Sequence, residues 1–112
     1  MDPLVLAAAS AVVTAMATDG WQQAREAVVK LWRRSRPGHV PAIETDLDET
    51  RAEVIAARTA GDRTAEEGLV ADWERKLRRL LDADPALADH PALAAAVGAL
   101  LDQQQAEFLE KA

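Results

Sequence analysis

Apolar positions recur at helical spacing along nearly the whole chain and divide it into four predicted helices. The first, about residues 3–35, opens on an uncharged run from Pro3 to Thr18 and ends in an amphipathic basic segment, Trp21 to Arg34. Asp2-Pro3 is a start signal, an acceptor side chain at the N-cap followed by proline at the first helical position. Ala7, Ser10, Thr14, Ala17, Trp21, Ala24, Val28 and Leu31 form one stripe down this helix. In its first half the flanking positions are apolar too, so that half reads as buried on several sides. In its second half Gln22, Gln23, Arg25, Glu26, Lys30 and Arg33 mark a solvated face. Asp19-Gly20 lies between the halves, and interior glycine costs about 1 kcal/mol relative to alanine. The element is read as one long helix with a kink or break admitted at that point.

Ser35 to Pro41 is a loop, because Pro37 ends the helix and Pro-Gly is turn chemistry. The second helix, about 41–60, has Ile43, Leu47, Thr50, Val54 and Ala57 as its inner stripe and acids in its first turns, the sign that suits a helix N-terminus. Gly61 is a natural terminator. Thr64-Ala-Glu-Glu67 reads as a capping box, so the third helix is placed at about 65–83, antiparallel to the second. It presents Leu69, Val70, Trp73, Leu77, Leu80 and Leu81 inward and Arg75, Lys76, Arg78 and Arg79 outward. Pro85 to Asp89 is a single turn, and Pro91 opens a fourth helix at about 91–110 on Leu93, Val97, Leu100, Leu101 and Phe108. The fold class is therefore all-α: one domain over residues 1–112, a four-helix bundle with a long N-terminal helix.

Composition sharpens this picture. The 112 residues suffice for one domain, and hydrophobic residues at 49% with aromatics at only 4% mean that Ala, Leu and Val dominate, which favours helix over strand. With no cysteine there is no disulfide framework and no thiolate metal site. The net charge of −6 opposes general binding to nucleic acid. No base precedes Arg25, so a cleavable secretory signal is not expected. The uncharged run is 16 residues, about 24 Å as helix against the roughly 30 Å of a bilayer core, so a spanning helix is not expected either. A cytoplasmic location, with membrane association as an alternative, is the resulting expectation.

Candidate chemistry is sparse. His39 and His90 lie in turns, and neither has a carboxylate three residues upstream, the spacing that di-iron bundles use. Asp46-Leu-Asp48-Glu49 fails as a calcium loop: Arg51 falls where glycine is needed and Ala57 where the bidentate glutamate is needed. Ser10 and Ser35 have no histidine at local spacing, and the five glycines form no phosphate-cradling run. The expectation is a chain that is not an enzyme and holds no cofactor or metal.

Two features point to partners. As one helix, Pro3 to Arg34 would run about 48 Å while the others run about 30 Å, leaving an apolar overhang. Either the chain folds at Asp19-Gly20 and covers the run with its own helices, or copies associate through it. Small residues at helical spacing favour association, with another copy or another helical protein, through Leu4, Leu6, Ala7, Ala11, Thr14, Ala15 and Thr18. The second feature is the basic segment, where Arg25, Lys30, Arg33 and Arg34 are candidate contacts to an anionic surface. In that alternative, a peripheral membrane protein inserts residues 3–18 and lays the basic segment on the headgroups. Trp21 and Trp32, eleven residues apart on one face, read as core rather than as stacking platforms.

With Ala15-Met-Ala-Thr-Asp-Gly-Trp21, Leu31-Trp-Arg-Arg34, Leu47-Asp-Glu-Thr-Arg51 and Trp73-Glu-Arg-Lys-Leu-Arg-Arg-Leu-Leu81 laid out, the chain resembles a group of small actinobacterial helical proteins of uncharacterised function with an apolar N-terminal helix. Similar proteins continue into a short polar, Gly-containing tail, whereas this sequence stops at Ala112. The resemblance implies no catalytic residue and no cofactor, and it favours a helical assembly or adaptor module. Function is thus expected to be non-catalytic self-assembly or adaptor-like interaction through the N-terminal helix.

Overall fold

In the computed structural model, which describes residues 3–89 and Gly98, the helical reading is right and the first element is divided. Four α-helices follow one another: α1 Pro3–Ala15, α2 Trp21–Ser35, α3 Val40–Ala60 and α4 Arg63–Ala83. Short 3-10 turns occupy Pro37–His39 and Pro85–Asp89, and no strand occurs among the described residues. The helix expected at 91–110, with Phe108, lies outside the described residues, as does His90.

The long first helix becomes two for a reason of size and a reason of chemistry. A single helix from Pro3 to Arg34 would be about 48 Å long, while the molecule's longest extent is 37 Å. At the bend, Thr18 replaces the helical ladder with local bonds. Its hydroxyl donates to the Ala15 carbonyl oxygen at 2.8 Å and accepts from the Gly20 backbone N–H at 3.2 Å. Short backbone bonds from Ala17 to Thr14 and from Thr18 to Ala15 tighten the last turn of α1. The Arg51 guanidinium reaches across from α3 to donate to the Met16 carbonyl at 3.3 Å and lies 5.9 Å from the Trp21 ring centroid.

With the bend in place, α1 packs most extensively on α4, with further contacts to α2 and α3. Val5, Ala8, Ala9, Ala11, Val12, Val13, Ala15 and Met16 are all buried. A helix without charges tolerates enclosure on several sides, and its alanines let neighbouring backbones come close. The bend also turns the inner face. Trp21, Ala24, Val28 and Leu31 are buried as expected, but Ala7 is exposed and Ser10, Thr14 and Ala17 are half-buried. In a stretch where nearly every position is apolar, the pattern alone does not select which side faces in.

The remaining helices follow their patterns closely. Ile43, Leu47, Thr50, Val54 and Ala57 of α3 are buried, as are Trp73, Leu77 and Leu80 of α4. Trp32 and Trp73 meet edge to face, ring centroids 6.2 Å apart at 84°. Gly61 ends α3 with φ of 68°, and its N–H and that of Asp62 return to Arg58 and Ala57 carbonyls. The start of α4 departs from expectation: the cap is Asp62, whose carboxylate accepts from the Ala65 N–H at 3.0 Å, not Thr64. An Asp two residues closer to Gly61 shortens the hairpin and is the better acceptor.

Candidate functional site

Two surfaces stand out among the described residues: the outer side of α1, and a cleft where α2 ends, α3 begins and α4 approaches its end. On α1 the expected interface residues separate into two groups. Ala11 and Ala15 are fully buried and Thr18 is 9% exposed and committed to the bend, so these three are enclosed by the chain itself. Leu6 is 41% exposed, Ala7 is exposed, Thr14 is half-buried, and Leu4 lies in the first turn of α1. The least buried side is therefore a strip of exposed Leu6 and Ala7 and half-buried Ser10, Thr14 and Ala17, its members from Ala7 onward three and four residues apart. None of its members is charged. Inserting residues 3–18 into a bilayer would pull Val5, Ala8, Val12 and Met16 out of the protein core.

The four expected anion contacts are also dispersed. The Arg25 guanidinium donates to both carboxylate oxygens of Asp48, at 2.9 and 3.2 Å, and approaches Glu44 at 3.5 Å. It clamps α2 to α3, and hydrogen bonding to Asp48 raises its pKa above the ordinary arginine value in spite of partial desolvation. Lys30 lies 3.7 Å from Glu26 one turn back on its own helix. Arg33 and Arg34 are exposed in the last turn of α2, where positive charge suits the helix C-terminus.

The structure instead gathers three other cations and a histidine that the sequence keeps apart. Arg36 follows α2, His39 lies in the 3-10 turn, and Lys76 and Arg79 stand one turn apart on α4. Together they line a cleft of about 240 Å³, with Asp46 as the one carboxylate on its wall among the described residues. Trp32, Ile43 and Leu80 supply its apolar side. Lys76 is held loosely, 3.9 Å from Asp46 and 5.6 Å from the Trp73 ring centroid. Arg36 and Arg79 make no ion pair among the described residues. Ser35 Oγ donates to the Asp84 carboxylate at 2.7 Å, tying the ends of α2 and α4 together beside the cleft. Arg75 and Arg78 are paired with Asp72 and Glu74 on α4 itself.

Of these residues the sequence pattern isolates Lys76 and Arg79 as outward positions of their helix and His39 as a loop residue. What brings them to one place is the path from α2 into α3, which only the tertiary structure reveals. No helix among the described residues is long and apolar enough to cross a membrane. No protein-family model, no curated protein and no solved structure matches the chain.

Proposed function

We propose that the chain is a non-catalytic helical interaction module of the cytoplasm that pairs with another copy of itself, or with another helical protein, through the outer strip of α1. One observation carries this reading: the strip, exposed at Leu6 and Ala7 and half-buried at Ser10, Thr14 and Ala17, has not a single charge, in a chain of which 29% is charged. The outer faces of the other helices are unlike it, with Lys30 and Arg33 on α2, Glu49 and Glu53 on α3, and Asp72 and Arg75 on α4, all exposed. Depletion of charge is the compositional mark of the centre of a protein interface. Small side chains at Ala7, Ser10, Thr14 and Ala17 allow a second helix to lie close, near the lower end of the usual interaxial distance of about 8–10 Å. Leu6 supplies one large apolar side chain to anchor it.

The test is native mass by light scattering on the intact chain beside Ala7→Glu and Thr14→Glu. Ala7 is exposed and Thr14 half-buried, so a carboxylate at Ala7 is accommodated by the monomer, the longer Thr14→Glu side chain is checked for folding by circular dichroism, and both are opposed at a helix–helix contact. The expected result is a defined assembly that each variant converts to a folded monomer. An intact chain that is monomeric throughout, or variants that keep the assembled mass, would overturn the reading.

A further inference from the structure

We infer that the cleft between the end of α2, the start of α3 and α4 is a binding site for a phosphate monoester group. The inference is independent of the pairing of α1, since it uses a different surface. Its starting point is a charge imbalance. The chain carries 13 Lys and Arg against 19 Asp and Glu, yet Arg36, Lys76 and Arg79 line one shared cleft with Asp46 as its one carboxylate among the described residues. That leaves a local excess of two positive charges among the described lining residues, with the His39 imidazole beside them. Arg36 and Arg79 have no carboxylate partner among the described residues, and like charges so placed repel one another and Lys76. An anion seated between them relieves that repulsion.

The chemistry of the anion follows from number, shape and size. A phosphate monoester carries about −1.5 to −2 charges near neutral pH, which matches the excess, whereas a carboxylate neutralises half of it. Arg36 and Arg79 offer planar forks suited to pairs of phosphate oxygens, and Lys76 offers a point charge whose carboxylate partner is 3.9 Å away. The volume, about 240 Å³, falls below the roughly 300–1,000 Å³ of sites for drug-sized molecules. It admits one phosphate and a short carbon stem, which Trp32, Ile43 and Leu80 would contact. A nucleic-acid strand would need a longer basic track than this cleft provides.

A phosphate monoester can be free in solution or the headgroup of a lipid, and the experiment separates the two sources. Glycerol 3-phosphate is titrated calorimetrically at constant ionic strength, and co-sedimentation is measured with phosphatidylcholine vesicles containing phosphatidic acid or, as a phosphodiester control, phosphatidylglycerol. The proteins are the intact chain, the double variant Arg36→Gln, Arg79→Gln, and Arg63→Gln. Arg63 is exposed at the opposite end of the α3–α4 hairpin and controls for loss of charge as such. Saturable one-site binding of glycerol 3-phosphate, weakened about tenfold or more by the double variant and about unchanged by Arg63→Gln, establishes the site with a soluble ligand. The same dependence seen on phosphatidic acid vesicles alone establishes it with a lipid headgroup. Circular dichroism verifies the fold, and Arg79→Gln alone replaces the double variant if that one does not fold. Binding to neither probe overturns the inference, as do equal losses in Arg63→Gln or equal binding to phosphatidylglycerol.

Discussion

The indole N–H of Trp73 donates to the hydroxyl of Thr50 at 3.2 Å, in the interior between α3 and α4. Trp73 is 1% exposed and Thr50 9%, so this one bond satisfies the tryptophan's single polar atom where water is excluded. Thr50→Val keeps the shape and removes the acceptor, leaving a buried donor unpaired. We expect a loss of about 1–3 kcal/mol in urea unfolding, with Thr50→Ser recovering most of the bond at the smaller cost of a missing methyl.

Arg25 and Asp48 couple α2 to α3 by a two-pronged bond at a surface that water still reaches. A double-mutant cycle with Arg25→Gln and Asp48→Asn is expected to give a coupling of about 0.5–1 kcal/mol that shrinks in molar salt. The sign with pH follows from the raised arginine pKa. The arginine's contribution is present in full below the ordinary arginine value and is lost only as pH climbs through the raised one. Titrating the arginine is therefore not a source of pH dependence near neutrality, and a cycle repeated at pH 6 and pH 9 should return the same coupling.

Two glycines should respond to alanine with opposite signs. Gly61 has φ of 68° and open space where a Cβ would go, so the cost of Gly61→Ala is conformational, about 1 kcal/mol of destabilisation. Gly68 lies inside α4, also with nothing near its Cβ position, and Gly68→Ala should stabilise by about 0.5–1 kcal/mol. Thermal melts of the two variants beside the parent read both shifts.

These residues also indicate where the sequence was informative. The inner face of α3 could be read position by position, because Ile43, Leu47, Thr50, Val54 and Ala57 alternate with charges that leave one orientation. On α1 the same reasoning lacks contrast: with no charge between Pro3 and Thr18, the stripe through Ala7, Ser10, Thr14 and Ala17 reads as an inner face, yet Ala7 is exposed and the other three are half-buried. The break at Asp19-Gly20 was visible as a weak point, but its cause is a hydroxyl at Thr18 and a guanidinium at Arg51, 33 residues on. Capping was located to within two residues, with Asp62 taking the place of Thr64. The cleft was the least legible feature. Arg36, His39, Lys76 and Arg79 belong to segments whose neighbourhood is set by packing, which no local pattern encodes.

The central structural claim is that α1 belongs to the core of its own chain and offers only its outer strip to a partner. The most direct measurement is the circular dichroism melt of residues 19–112, lacking α1, beside the intact chain. Val5, Val12, Val13 and Met16 are nearly fully buried, and at about 1.5–3 kcal/mol each they match the roughly 5–15 kcal/mol that holds a typical domain folded. The account expects the shortened chain to lose its cooperative transition and most of its helix signal. A shortened chain that melts cooperatively as a helical monomer would contradict it, and would place α1 outside the fold as an appendage.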